Sequence, residues 1–337
     1  MLWLLAFVAI AAVIFVAASK LSVFADLLAE RLHLSRSWLG LLVLSVVTTL
    51  PEGATTISAI LKVDSPNMAL GNNYGSILFN TTIIAFCDLI FRKSRLLRHA
   101  KDKNAFPAAC AVIMIMLSLL AICFPVPLRA LGLRFSFGTV VVLAAFMVLF
   151  WWMRRFEMQQ LLTEVPGQTT SEMSTMHAVL GFVFAAVVVV LCGIGLAVTG
   201  KNIAQHLGLT HSFVGMLFMA FATSLPELTV GISAVRIGAY DLMLGNVMGA
   251  NMLNILVVAV ADIVYRKDVL AVPKNLGREN VFAGLMSVVA ISIVIIGIIS
   301  VPKARRKLPV DPTSIAMLAL YVGTIAVIFF GHAFFAG

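Results

Sequence analysis

One passage of this chain is written twice. SVVTTLPEGATTISAI begins at Ser45, and AFATSLPELTVGISAV begins at Ala220, 175 positions later. Upstream, Gly40 pairs with Gly215 at the same offset. Downstream, ALGNNYGSILFN (Ala69–Asn80) is answered by MLGNVMGANMLN (Met243–Asn254) at an offset of 174, so one residue is dropped between the blocks. Asp88 and Asp262 continue that offset, each followed by a basic pair, Arg92-Lys93 and Arg266-Lys267, and Val126-Pro127 and Val301-Pro302 return to 175. Two blocks recurring in register mark a duplicated structural unit, and a duplicated unit has to fold the same way in both copies.

The copies are built from apolar runs. Ten stretches are long enough to span a bilayer, which takes roughly 20 apolar residues. They cover about 2–19 (extending toward Ala29), 37–61, 66–91, 104–124, 136–153, 177–199, 212–236, 241–265, 279–301 and 314–336. With 61% hydrophobic and 12% charged residues, the chain departs from the composition of soluble domains and of disordered segments. The runs are continuous rather than alternating, which excludes an outer-membrane barrel. The expectation is an all-α polytopic membrane protein with ten transmembrane helices. The N-terminal run lacks a basic n-region and a clear cleavage site, so it reads as the first helix rather than a signal peptide.

Each half holds five of the ten runs, and an odd number makes the second copy enter the membrane from the opposite side. Inverted repeats of this kind bind their substrates near the bilayer midplane, on interrupted helices. The domains expected are a first repeat at 1–154, a short linker at 155–175 that is too small for a soluble domain, and a second repeat at 176–337. Loop charges set the orientation. With the N-terminus outside, inside loops carry 15 Lys and Arg against 8 outside. The reading is therefore a plasma or inner-membrane protein with both termini outside. The net charge of +9 belongs to this topology signal, and no nucleic-acid partner is expected.

Several other chemistries find no support. Cys87, Cys110, Cys123 and Cys192 lie in apolar segments without CxxC spacing. The six histidines fall mostly near helix ends and form no metal-ligand pair. The phosphate-binding pattern GxxxxGK[ST] is absent, which disfavours an ATP-driven pump. No enzymatic site and no cofactor are expected.

The repeated blocks carry the distinctive residues. Pro51 and Pro226 interrupt apolar helices and leave the carbonyls of Val47 and Ala222 without their helical donors. Thr48 and Thr49 stand four and three residues before Glu52, as Thr223 and Ser224 do before Glu227, so each copy groups a carboxylate with two hydroxyls on one helix face. All-oxygen shells of this kind suit hard cations such as Ca2+. Two intramembrane glutamates require neutralisation by a divalent cation, by monovalent cations or by protons, and that exclusivity is a physical basis for exchange. Unused buried carboxylates would be costly, which argues against a non-transporting scaffold. In the second block, Asn80 and Asn254 are expected to act directly on ions, Asn72 and Asn246 either as packing groups or as ligands, and Asp88 and Asp262 as partners of the basic pairs that follow. Gly71/Gly75 and Gly245/Gly249 suit close helix approach.

At these residues the chain resembles the calcium/cation antiporter superfamily, specifically sodium/calcium exchanger-like proteins, whose two alpha-repeats carry GTSLPE and GNxxGSNxxN/D. The resemblance implies a ten-helix inverted repeat with four cation sites in a diamond at the midplane, and Na+ entry driving Ca2+ extrusion by alternating access. Carried over by motif, Glu52 and Glu227 would be the central ligands. Thr48 and Thr223 would join the Ca2+ site. Thr49, Ser224, Ser76 and the backbone carbonyls of Ser45 and Ala220 would line the Na+ sites, and Asn80 and Asn254 the middle of the diamond. Ca2+ and Na+ would be transported ions rather than cofactors, and no soluble regulatory domain is expected. The chain departs from the motif at Thr49, Gly53, Ile77, Ala250 and Asn254, which lowers the charge and oxygen count and keeps Ca2+/H+ exchange open as the alternative.

Overall fold

The computed structural model describes residues 2–31, 44–91, 96–100, 102–128, 135–160, 174–265, 277–300 and 311–331. Helices stand at each of the ten positions read from the sequence. They are α1 (Leu2–Arg31), α2a (Ser45–Thr48) and α2b (Leu50–Leu61), α3 (Pro66–Ile90), α4 (Ala105–Cys123), α5 (Phe137–Gln160), α6 (Thr175–Leu207), α7a (His211–Thr223) and α7b (Leu225–Arg236), α8 (Tyr240–Tyr265), α9 (Arg278–Ser300) and α10 (Pro312–Phe330). The described residues are helical almost throughout, with one isolated bridge between Pro127 and Ser136. The start of the second run (37–43), most of the expected linker and both basic pairs lie outside the described residues.

Seven of these helices are long and apolar enough to cross a membrane, and α7 joins them as a pair bent by 44°. The helix α3 fails on composition because a row of polar residues runs through its 25 positions. That row is buried, and so are the residues around it: Asn72, Asn73, Ser76, Asn80 and Thr81 are fully inaccessible. Burial separates an inner set of helices from an outer set. In α8, 67% of the membrane window is buried, against 17% for α1 and 22% for α5, α6 and α10. The helices α3 and α8 therefore form the centre, and α1, α5, α6 and α10 the periphery.

Local chemistry sets the helix ends. Ser65 caps α3 ahead of Pro66, accepting from the Met68 amide at 3.4 Å. Gly208, at φ 63°, ends α6 in the left-handed region, and Thr210 caps α7a through the Phe213 amide at 3.1 Å. Asp311 caps α10 ahead of Pro312. The glycines of the second block serve close approach. A Cβ on Gly75 would stand 2.5 Å from the Met216 carbonyl, one on Gly71 would strike the Ser212 carbonyl, and Gly215 faces the Met68 carbonyl in return. Thus α3 crosses α7a backbone to backbone.

Two cross-repeat clasps complete the frame. Asp88, near the end of α3, accepts from the Leu96 amide at 2.9 Å and from Ser314 Oγ at 2.9 Å. Asp262, near the end of α8, accepts from the Ser136 amide at 2.9 Å and from Thr139 Oγ1. Thr139 and Ser314 are repeat equivalents at the 175 offset, so each copy's aspartate holds the first turn of the other copy's last helix. The expected partners Arg92, Lys93, Arg266 and Lys267 lie outside the described residues. The hydroxyls that the two aspartates do hold were not foreseen.

Candidate cation site

The site is assembled where the two interrupted helices meet α3 and α8. Thr49 stands between α2a and α2b, and Ser224 between α7a and α7b. Their backbones sit near φ −81°, ψ −5° and φ −89°, ψ 7°, in the sparsely populated bridge region where active-site residues recur. Proline follows two residues later in each copy and starts a new helix, with Glu52 or Glu227 in its first turn. A helix N-terminus carries exposed N–H groups and partial positive charge, which favours a carboxylate there. Both glutamates are fully buried. A π-helical turn, Gly215–Met219, precedes the second interruption. Such turns are rare and cluster at functional sites, and the sequence reading did not anticipate this one.

The hydroxyls around the two carboxylates cross the repeat boundary. Ser224 Oγ donates to Glu52 Oε1 at 2.9 Å, and Ser76 Oγ approaches the same oxygen at 3.5 Å. Thr223 is also a neighbour of Glu52, and Thr48 of Glu227. Thus each glutamate is served partly by the opposite copy. The sequence spacing put Ser224 on the face of Glu227, and the structure turns it toward Glu52.

Thr223 Oγ1 donates to the Met219 carbonyl at 3.0 Å and the Ala220 carbonyl at 3.3 Å, and Thr48 Oγ1 approaches the Ser45 carbonyl at 3.4 Å. A hydroxyl whose proton is committed to the backbone presents only lone pairs outward, as a cation ligand does. The carbonyls of Ser45 and Ala220 also accept helical amides, from Thr49 and Ser224 at 3.0 Å each. In this conformation both lone pairs of each carbonyl are engaged, one by the amide and one by the threonine hydroxyl, so an ion taking either oxygen displaces that hydroxyl.

The remaining polar atoms show what the arrangement fits. Among the described residues, fifteen buried side-chain oxygens and nitrogens have no hydrogen-bond partner, and fourteen of them lie in the two repeated blocks. They include Thr49 Oγ1, Glu52 Oε2, both oxygens of Glu227, and both amide atoms of Asn80, Asn246 and Asn254. Buried polar groups are nearly always paired, so a concentration of orphaned oxygens around two carboxylates fits a hard cation. The structure thus gathers Thr48, Thr49, Glu52, Ser76, Thr223, Ser224 and Glu227 at one place, with Asn72 on the Glu52 carbonyl and the Asn246 carbonyl on Ser45 Oγ, while Asn80 and Asn254 are fully buried with both amide atoms unpaired. It also shows polar groups that sequence reasoning passed over. Thr56 Oγ1 receives Asn72 Nδ2 at 3.1 Å and Asn73 Nδ2 at 2.8 Å, and Thr81 Oγ1 receives Asn251 Nδ2 at 3.1 Å. Aligning the two copies reveals them, because Thr56, Asn73 and Thr81 face Gly231, Val247 and Ile255 at equivalent positions.

Comparison with known proteins agrees with this geometry. The family profile described as "Sodium/calcium exchanger protein" matches residues 2–162 and 177–330. The chain is 28% identical over 242 residues to a protein named as an antiporter, CaxA, from Alkalimonas amylolytica, covering 69% of this chain and 72% of that one. It is 26% identical to the membrane protein MJ0091 of Methanocaldococcus jannaschii, covering 68% and 70%. A shorter stretch of 128 residues is 29% identical to the sodium/calcium exchanger MaX1 of Methanosarcina acetivorans, covering 38% of this chain and 33% of that protein. Among solved structures, the fold is similar to that of the sodium-calcium exchanger NCX_Mj soaked with Na+ and Sr2+. The TM-score is 0.60 at 19% identity, over 96% of this chain and 98% of that one.

Proposed function

The chain belongs to the sodium/calcium exchanger protein family, and from that premise we propose that it is a secondary antiporter moving Ca2+ against Na+ at the site between the two interrupted helices. The observation that carries this reading is the gathering of orphaned buried oxygens around Glu52 and Glu227. Two carboxylates match the charge of one Ca2+ or of two Na+ ions, so either occupant leaves the buried site neutral, and both together would not. Ion competition of this kind couples one flux to the other.

In this reading Glu52 and Glu227 are the central ligands. Thr48 and Thr223 turn their lone pairs to the divalent ion. Thr49, Ser224, Ser76 and the carbonyls of Ser45 and Ala220 serve the flanking monovalent ions, and Asn80 and Asn254 line the middle. The Ser224 proton now on Glu52 has to rotate away when a cation takes that oxygen. Residues 1–154 and 176–337 form the two inverted repeats, joined through 155–175, and both termini face outward from a plasma or inner membrane. The carriers MaX1 and CaxA, by their names an exchanger and an antiporter, support the class.

Proton coupling through the same glutamates is the second reading. Ala250 and Asn254 favour it, since against the family motif the first removes a hydroxyl and the second a negative charge from the site. Both are separated by 45Ca2+ uptake into proteoliposomes of the purified protein. One set is loaded with Na+ and diluted into Na+-free buffer, and the other carries only an acid-inside pH gradient. The proposal expects uptake in the first set. Uptake in the second set alone assigns the coupling to protons, and uptake in neither refutes Ca2+ antiport.

A further inference from the structure

The copies differ around their second-block asparagines in a connected way. In the first copy, Asn72 Nδ2 donates to Thr56 Oγ1 at 3.1 Å and reaches the Glu52 carbonyl at 3.4 Å, while Ser76 stands 3.5 Å from the Glu52 carboxylate. Asn72 is thereby a positioning residue that braces the helix start carrying Glu52. In the second copy Gly231 replaces Thr56 and Ala250 replaces Ser76. The place of the lost threonine is apolar, since a Cβ on Gly231 would meet Ile83 at 3.2 Å and Met243 at 3.5 Å. Asn246, the counterpart of Asn72, has lost the hydroxyl on which its amide would dock.

The consequence is visible in the partners. Asn246 is fully buried, and neither its Nδ2 nor its Oδ1 has a hydrogen-bond partner. Neither oxygen of Glu227 makes a hydrogen bond, although the Thr48 hydroxyl of the opposite copy neighbours it. Asn246, Ala250 and Asn254 follow one another at helical spacing along one stripe of α8. At its foot, Ser45 Oγ donates to the Asn246 carbonyl at 3.1 Å, so Asn246 lies against the interrupted helix of the opposite copy. A buried amide with both ends unsatisfied, held against the broken helix that helps build the cation site, is placed to bind something.

We propose that Asn246 is a cation ligand on the second-copy flank of the site, where its Oδ1 supplies, one helical turn away, the neutral oxygen that Ala250 lacks. The inference rests on the Na+/Ca2+ reading above. One neutral amide oxygen and one carboxylate carry a single negative charge between them, which selects a monovalent cation, Na+, at this flank. Asn72 and Asn246 therefore have different roles despite equivalent positions. The first holds the backbone, and the second holds the ion.

The test uses Na+-driven 45Ca2+ uptake with the full-length protein in proteoliposomes, with Na+ titrated against choline. Asn246→Ala is expected to raise the half-saturating Na+ concentration about tenfold or more, since loss even of a partner behind the ligands weakens a metal site by about 10–100-fold. Adding Ala250→Ser to that variant returns an oxygen to the same flank and restores Na+ affinity. Asn72→Ala, which removes a brace rather than a ligand, is expected to lower the thermal stability of the Na+-free protein, and Ala250→Ser is not expected to rescue it. An unchanged Na+ dependence in Asn246→Ala overturns the proposal, as does failure of Ala250→Ser to rescue it, since that outcome marks a packing asparagine or one that binds water only. If Asn246→Ala does not fold, Ala250→Ser alone decides: added to the otherwise wild-type chain it should lower the half-saturating Na+ concentration, and no change overturns the assignment. Wild-type uptake driven only by a pH gradient removes the Na+ reading together with Asn246. Na+-driven wild-type uptake with an indifferent Asn246→Ala removes Asn246 alone.

Discussion

Glu52 and Glu227 occupy equivalent positions in the two copies, each in the first turn of a helix that restarts after an interruption, and each fully buried. Their surroundings are unequal. Glu52 has hydroxyls from both copies on one oxygen, whereas Glu227 has the Thr48 hydroxyl as a neighbour but makes no hydrogen bond on either oxygen. Duplication reproduces the backbone device, because proline and small residues at fixed spacing dictate where a helix breaks. It leaves the polar inventory free to drift, because side chains around the break contact the other copy and not their own equivalents. Thr55, Thr56, Asn73, Thr81 and Thr82 of the first copy become Val230, Gly231, Val247, Ile255 and Leu256 in the second. Glu52 is therefore held by hydroxyls, the shorter bond coming from Ser224 of the opposite copy, and Glu227 is left more open to ligand.

The largest effect expected is loss of exchange on neutralising either carboxylate. Glu52→Gln and Glu227→Gln should each abolish 45Ca2+ uptake while the purified protein still elutes as a folded species, since removing a buried charge relieves desolvation rather than adding to it. Full transport by either variant would break the symmetry argument at its base. Next in size is the crossing of α3 over α7a. Gly75→Ala puts a Cβ 2.5 Å from the Met216 carbonyl and 2.7 Å from its Cα, contacts with backbone that cannot swing aside. Overpacking of this kind costs about 1–3 kcal/mol, read as a lowered thermal transition in detergent. Gly53→Ala is the control, because its Cβ meets only Val257 at 3.8 Å, and the equivalent residue of the second copy is already Leu228.

The clasps offer a sharper comparison. Asp88→Asn and Asp262→Asn should each cost about 1.5–3 kcal/mol, the range for a hydrogen bond to a charged group. The same loss should follow from Ser314→Ala and Thr139→Val, the partners supplied by the opposite copy. Thermal unfolding of the four single variants and the two matched doubles checks this. Matched doubles no worse than the worse single would establish coupling within each clasp. Additive losses would mean that the hydroxyls act elsewhere.

What the sequence made legible follows from the reach of each interaction. Spans and repeats are written in local periodicity, and the ten helical positions and the two interruptions could be read from runs and prolines. The helix α3 could be read too, although it fails a hydropathy test, because its polar row recurs in α8. The partners across the copies were illegible one residue at a time. Nothing near Asp88 in the chain points to Ser314, and the basic pair beside it suggested a different partner. Nothing near Ser224 says that it serves Glu52 and not Glu227, three residues away. These contacts arise only when one repeat is inverted against the other, which sequence spacing within one copy cannot express. The Thr139–Ser314 equivalence, at the same 175 offset as the motifs, was the signal that could have exposed the clasps.

The smallest effects lie in the hydroxyls, and they grade the asymmetry directly. Ser224→Ala removes the 2.9 Å bond to Glu52 Oε1; a hydrogen bond to a charged group contributes about 1.5–3 kcal/mol, so the apparent affinity for the driving cation should shift by about tenfold or more. Thr49, its repeat equivalent, has an unpartnered hydroxyl. Thr49→Ala thus breaks no bond in this conformation and acts only through a lost ion ligand. Ser76→Ala ranks last. Its oxygen stands 3.5 Å from Glu52, at the limit of hydrogen bonding, and the second copy already carries alanine at the matching position. A shift of about two- to threefold in half-saturating cation is expected, under 1 kcal/mol, with maximal uptake retained. The order Ser224, Thr49, Ser76 in a titration of uptake against Na+ is therefore a direct readout of how unequally the copies hold their carboxylates. Equal shifts at Ser224 and Thr49 would mean that the working cycle restores the symmetry absent from this conformation, with each glutamate taking the opposite copy's hydroxyl in turn.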